Sequence, residues 1–468
     1  MPSYRPGAPK HALDRLDQLI ARLGEADGLV ARGGVVTSLS VSHCRISGLP
    51  RDVSLGDCVH VDLPRGAIRG EIVAVDKAGA TVTLFEASGS VRLDSVAWRR
   101  SGLSLRPNAG WKGRVLNALG EPIDLGGPVP DGPIVYACDR APPAALERNR
   151  TVEPVTTGVR VIDLFAPMCR GQRVGIFAGS GIGKSTLLAM LARASGFDSI
   201  VVGLVGERGR EVREFVEEVL GATRTRAVSI VATGDESAMM RRLAPKTATC
   251  VAEALRDAGE HVLLVIDSMT RFAHAARDVA LAAGEPPVAR GYPPSVFSDL
   301  PRLLERAGMG AGGIGSITAL YSVLVDGDDH NDPVADSIRG TIDGHIVLSR
   351  QIAERGQFPA VDVLASISRL AHHCRTREQA ELVRSLRAMI ARFEDSRDIR
   401  MLGGYRQGSD LELDAAVRNV PLLYSALVQG PADKPSTDAI AEIAGAMRSA
   451  QQTTAAAPAS TQTRRHGQ

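Results

Sequence analysis

The chain has 468 residues, 55 of them basic and 53 acidic: it is too long for one ordinary core and too evenly charged to offer a strong general field to nucleic acid or an anionic membrane. Six cysteines (Cys44, Cys58, Cys138, Cys169, Cys250, Cys374) are scattered with no CxxC pair, which argues against a zinc site or a disulfide framework and predicts reduced, mostly buried thiols. The first residues lack the apolar core of a signal peptide, and no apolar run approaches the roughly 20 residues that span a bilayer. The expectation is a cytoplasmic protein with at most peripheral membrane contact.

In chain order, residues 1–27 form a leader in which Leu16, Leu19, Ile20 and Leu23 recur at the spacing of an amphipathic helix. Such a helix either docks on a partner or packs on its own domain. Over 28–97 the pattern changes to short alternating runs (GGVVTSLSVSHCRISGL, DCVHVDL, GEIVAVD, ATVTLFEA) separated by turn residues, which predicts a small β-barrel. Residues 113–124 and the Gly/Pro-rich stretch up to 154 read as a connection. From 157 onward apolar strand patterns (RVGIFA, SIVVGLVG, SIVVAT, HVLLVID, GSITALYSVLV) alternate with helical ones, the signature of an α/β domain with a parallel sheet and flanking helices. That domain is placed at 98–375. Helical patterns continue over 376–440 as a C-terminal helical domain, and 441–468 has so little to bury that a disordered tail is expected.

Residues 178–186 read AGSGIGKST, directly after the strand RVGIF and before the helical STLLAMLARAS. Gly179, Gly181 and Gly183 let the loop formed with Ala178, Ser180 and Ile182 curl so that its N–H groups point at phosphate oxygens, and the next helix adds its positive end. Lys184 would reach the outer phosphates and the Ser185 hydroxyl, followed by Thr186, would ligate magnesium. The strand Val262–Ile266 ends in Asp267, a second candidate magnesium ligand, or a helix cap. Glu207 follows the strand SIVVGLVG and could align the attacking water; it could equally cap the next helix or pair with Arg210 or Arg213.

Together these elements resemble the α/β subunit family of rotary ATPases and their type III secretion relatives, to which PAVDVLASIS (359–368) adds a far more specific signature. The resemblance, over about 28–430, implies a RecA-like P-loop NTPase core between an N-terminal β-barrel and a C-terminal helical domain. It also implies ATP and magnesium as cofactors, and six identical subunits with nucleotide at their interfaces. It carries the roles of phosphate-loop lysine, metal hydroxyl and metal carboxylate to Lys184, Ser185 and Asp267, and that of catalytic carboxylate to Glu207. Arg208 takes the place of an arginine near the γ-phosphate, and Arg369 that of a finger from the neighbouring subunit, worth roughly 10³–10⁵ in rate. Phe358 aligns with an aromatic that stacks on adenine, and Tyr405 is a candidate for the opposite side.

The stretches 284–308 and 393–410, with GDDHNDP (327–333), resemble flagellar type III secretion members. The implied role is ATP-driven export of flagellar proteins at the inner membrane, with export gate, stalk, regulator, chaperones and export substrates as partners. A virulence-type injectisome ATPase is the alternative. A rotary ATP synthase catalytic subunit, a non-catalytic ring subunit and a Rho-type RNA translocase fit less well, the last because no basic, aromatic-rich stripe marks the N-terminal domain; no nucleic acid partner is expected.

Overall fold

A computed structural model describes residues 33–456 apart from 65, 87–90, 145, 148, 150–151 and 326–331. The leader helix, and most of the acidic loop 327–333, therefore lie outside the described residues.

The alternating runs form six strands: β1 (Gly33–Leu39), β2 (His43–Ser47), β3 (Cys58–Asp62), β4 (Ala67–Asp76), β5 (Gly79–Leu84) and β6 (Val96–Arg100). They close into a barrel in the order β1-β2-β5-β4-β3-β6, so no edge is left to pair with another chain. Period-two alternation puts Val36, Ile46, Val59, Val61, Ile72 and Val82 inside, each fully buried.

The central domain is built on strands β7 (Val115–Asn117), β8 (Arg173–Ala178), β9 (Ser199–Val205), β10 (Ala227–Ala232), β11 (His261–Asp267), β12 (Ser316–Leu324), β13 (Gly344–Val347) and β14 (Ile367–Ser368). They lie in the order β14-β13-β8-β12-β11-β9-β10-β7 and pair in parallel except for β14 against β13. Every residue of β9 and β10 is buried, which is why these strands read as unbroken apolar runs: helices cover both faces of a parallel sheet.

The stretch 113–124, read in the sequence as connection, instead supplies the edge strand β7. Its few apolar residues left no strand pattern, yet Leu116 is fully buried. The Asp124 carboxylate accepts from Arg114 Nη2 at 2.6 Å and from the backbone N of Val115 and Gly126, which folds the segment back on itself beside β10.

The barrel is fastened to this domain by the helix α1 (Ala238–Asp257), whose Arg242 donates to Glu71 at 2.9 Å and to Asp299 at 3.1 Å. Ser237, which caps α1, also donates to the carbonyl of Phe85 at the barrel exit. Deeper in, Arg306 and Glu253 form a two-pronged ion pair at 3.0 and 2.7 Å with side chains 2% and 1% exposed. Its charge-assisted bonds offset the desolvation of both groups.

The helical domain contains α2 (Arg377–Asp395), opened by a Thr376/Gln379 capping box, α3 (Leu411–Leu427), capped by Asp410, and α4 (Ala439–Ala456). The last of these corrects the sequence expectation of a disordered tail from 441; residues 457–468 lie outside the described residues. Ala439, Ile443 and Met447 recur every fourth residue and pack against the central core, so small side chains at helical spacing suffice to seat the helix.

Candidate active site

The apolar strand β8 ends at Ala178, where the chain must turn sharply to start the helix Lys184–Ala192. The turn is made at Gly181 and Gly183, with φ of 78° and 89°, a region that costs other residues roughly 1–2 kcal/mol. Ile182 anchors the loop in the core while Ser180, Gly181, Ser185 and Thr186 remain exposed. Arg350 Nη2 braces the loop by donating to the Ser180 carbonyl at 3.1 Å.

The carboxyl ends of three strands converge at this loop, the usual crevice of a parallel sheet. β8 delivers Lys184 and β11 delivers Asp267, and the two side chains meet at 2.5 Å between Nζ and Oδ1. β9, in register so that Leu204 pairs with Asp267, delivers Glu207. Lys184, Ser185, Thr186, Glu207 and Asp267 line one cavity of about 450 Å³.

The competing roles for the two carboxylates are taken by other residues. Ser268, not Asp267, caps the helix that follows β11. Arg210 pairs with Glu214 and Arg213 with Glu217, and the helix after β9 carries no side-chain cap, which leaves Glu207 to the cavity. Burial and then the neighbouring Asp267 charge push Glu207 up to about 7, against the opposing pull of Lys184.

The residues fit a magnesium nucleotide. An exposed phosphate loop with a lysine suits the phosphates, and one hydroxyl plus one carboxylate is the small protein share that magnesium takes when phosphates and water complete its shell. Among the described residues no group of three or more His, Cys, Asp and Glu forms a self-sufficient metal site.

Phe358 is 41% exposed and lies beside the loop: a Cβ placed on Gly183 would stand 3.5 Å from its ring. Tyr405 does not join it. Its hydroxyl donates to Asp414 at 2.6 Å within the helical domain, and it is absent from the cavity lining. The chain beside Phe358 is instead the strap 428–431, held by Gln429 N to the Phe358 carbonyl at 2.8 Å and by Arg193 to the Pro431 carbonyl, so that Pro431 lines the cavity. Nothing in the sequence signals this wall, because it rests on contacts between residues far apart in the chain, Gln429 with Phe358 and Arg193 with Pro431.

Glu211, Glu214 and Glu218 also line the cavity and were missed, although their three- and four-residue spacing marks one helical face. Arg208, expected near the γ-phosphate, has its side chain 88% exposed and 3.9 Å from Glu211, outside the lining. Arg369 likewise stands outside its own chain's cavity, exposed, with Nη2 donating to the Arg339 carbonyl at 3.4 Å.

Residues 158–368 match the nucleotide-binding domain of the ATP synthase alpha/beta family, and residues 375–443 match the T3SS EscN ATPase C-terminal domain. The flagellum-specific ATP synthase of Rhizobium meliloti (strain 1021) is 51% identical over 443 residues, covering 95% of each chain. The chain belongs to the type III secretion branch of the ATP synthase alpha/beta family. Its members also include the type 3 secretion system ATPase of Xanthomonas euvesicatoria, 42% identical over 86% of this chain and 91% of that one. Among solved structures, the assembled ATPase EscN of the enteropathogenic E. coli type III secretion system superposes with a TM-score of 0.82 at 37% identity, over 88% of this chain and all of that one. EscN in complex with its central stalk EscO gives 0.80 over the same shares at the same identity. In this family setting, the six-stranded barrel, nucleotide sheet and helical domain are the expected three-part architecture.

Proposed function

We propose that this chain hydrolyses ATP with magnesium in a homohexameric ring that energises protein export through a flagellar type III secretion apparatus. The observation that carries the hydrolytic part is the meeting of Lys184, Asp267 and Glu207 in one cavity at three strand ends. Ser185 and Asp267 would hold the magnesium, which neutralises charge on the transferring phosphate when bound. Lys184 and the loop amides bind and orient the phosphates, and Glu207 orients the attacking water. Phe358, beside the loop at Gly183, and the strap at Pro431, which lines the cavity, would flank the base.

Arg369 is exposed outside its own cavity, which supports a finger role across a subunit interface. Exposed Met401, Leu402 and Leu411, in the connection from α2 to α3 and at the start of α3, 75–87% accessible, suit contact with a stalk protein. Among the described residues no helix is long and apolar enough to cross a membrane. In this reading the ring is cytoplasmic and held peripherally at the inner-membrane export gate. Export substrates, their chaperones and a regulator are the further partners of this reading.

The flagellar assignment follows the resemblance to the flagellum-specific ATP synthase of Rhizobium meliloti, 51% identical to this chain; the resemblance to EscN keeps a virulence-type injectisome as the second reading. Deleting the gene separates them. Loss of flagella and of swimming is the expected outcome, whereas intact swimming with failed effector secretion favours the injectisome.

A further inference from the structure

The helical domain joins the central sheet through residues 370–376, and the joint holds two sulfur atoms. Cys169 is buried in the two-residue strand Met168–Cys169 that leads into β8, and half-buried Cys374 lies between Arg369 and the N-cap of α2. Their Sγ atoms are 2.9 Å apart, less than an ångström from the roughly 2.05 Å of a disulfide. Backbone contacts hold both in place: Cys374 Sγ lies 3.5 Å from the Met168 carbonyl and Cys169 Sγ 3.9 Å from that of Leu370.

We propose that Cys169 and Cys374 form a dithiol that hydrogen peroxide closes to a disulfide, a reversible modification site that locks the Arg369 segment and the helical domain to the phosphate-loop strand.

Access and polarity support the order of events. Beside Cys374 lies a cavity of about 150 Å³ lined also by Thr156, Asp163, Arg375, Gln379 and Asp438, a route for a small oxidant. The hydrogen bond from Cys169, then the Arg375 charge, hold Cys374 below the ordinary thiol range, while the same bond and burial push Cys169 up. Among the other thiols, burial pushes Cys44 up to about 11 and Cys58 up to about 12; Cys138 is held low by a hydrogen bond from Cys250, but both members of that pair are buried, whereas Cys374 is part-exposed beside its cavity.

The Cys374 thiolate attacks one peroxide oxygen, the O–O bond breaks and hydroxide leaves, giving a sulfenic acid. The Cys169 thiol then loses its proton and attacks Cys374 Sγ; the S–O bond breaks and the departing hydroxide takes the proton. Two thiols and one peroxide thus become one disulfide and two waters, and a dithiol reductant reverses the change. Reversible, redox-sensing pairs are the form that disulfides usually take in a reducing compartment.

The test exposes the full-length protein to hydrogen peroxide, blocks free thiols with an alkylating agent and maps the digest by mass spectrometry. The expected result is a linked peptide containing Cys169 and Cys374, two hydrogens lighter than its parts, that dithiothreitol separates and that neither Cys374→Ser nor Cys169→Ala yields. Both thiols remaining alkylated, or Cys374 advancing to sulfinic acid with Cys169 free, overturns the site. The consequence for turnover rests on the ATPase reading, whereas the linked peptide does not. Turnover should fall with linkage, recover with dithiothreitol and stay constant in Cys374→Ser; a linked protein of unchanged turnover overturns the lock.

Discussion

Glu207 shares its cavity with Asp267, Lys184 and Glu211, the last hydrogen-bonded to it, and these neighbours together with burial decide what it can do. Lys184 holds it toward the charged form while burial and Asp267 oppose that, so the group is poised near neutral pH rather than fixed as a bystander anion. Glu207→Gln keeps the volume and the nucleotide contacts but removes the acceptor for a water proton. Nucleotide binding, read by equilibrium titration with a fluorescent ATP analogue, should stay within a few-fold, while steady-state hydrolysis falls by about 10²–10⁴. Lys184→Ala should instead abolish binding itself. Ordinary turnover in the Glu207 variant would remove it from the reaction. At this scale the sequence was informative wherever a residue type had one chemistry in one context, as with lysine after a glycine loop. It could not choose between cap, ion pair and cavity for Asp267 and Glu207, because those alternatives differ only in where neighbouring side chains point.

The element that shows the limit of local patterns best is β7 with its return loop. Three residues carry too little alternation to be read as a strand, and their place at the sheet edge is decided by the Arg114–Asp124 fork and pairing with β10. Hydrogen bonding to Arg114, with further bonds from Val115 and Gly126, holds Asp124 far below the usual carboxylate range. A depressed pKa means the contribution to stability is complete above the unfolded value of about 3.9 and is lost as pH falls below it. Asp124→Asn should therefore lower stability by about 1–3 kcal/mol at pH 7. In urea unfolding, the gap to the parent protein should narrow as the pH drops below about 4; a gap independent of pH would deny the fork its role. The helix α4 carries the same lesson in reverse, since its alanine-rich sequence looked too poor to fold and only the core surface beneath Ile443 gives it something to bury.

At the scale of the whole molecule, the chain gathers Lys184, Ser185, Glu207 and Asp267 in one cavity but keeps Arg369 outside it. A ring supplies the missing cation if each subunit lends its arginine to the next. Glu207→Gln and Arg369→Ala subunits, each inactive alone, should then recover part of the ATPase activity when mixed, because some interfaces pair an intact carboxylate with an intact finger. Absence of recovery at every mixing ratio would place Arg369 in a structural role.

What the sequence determined by itself was the order of parts and the placement of the glycine loop between strand and helix, because barrel alternation, buried parallel strands and a glycine loop before a helix are local consequences of side-chain period and backbone freedom. What only the tertiary structure decided was which distant groups share a space. The strap 428–431 replaces Tyr405 beside Phe358, Arg208 faces solvent, and Cys169 meets Cys374 across two hundred residues. Such contacts depend on how sheet, helices and strap pack together, and no spacing along the chain encodes the distance between two points brought together by packing.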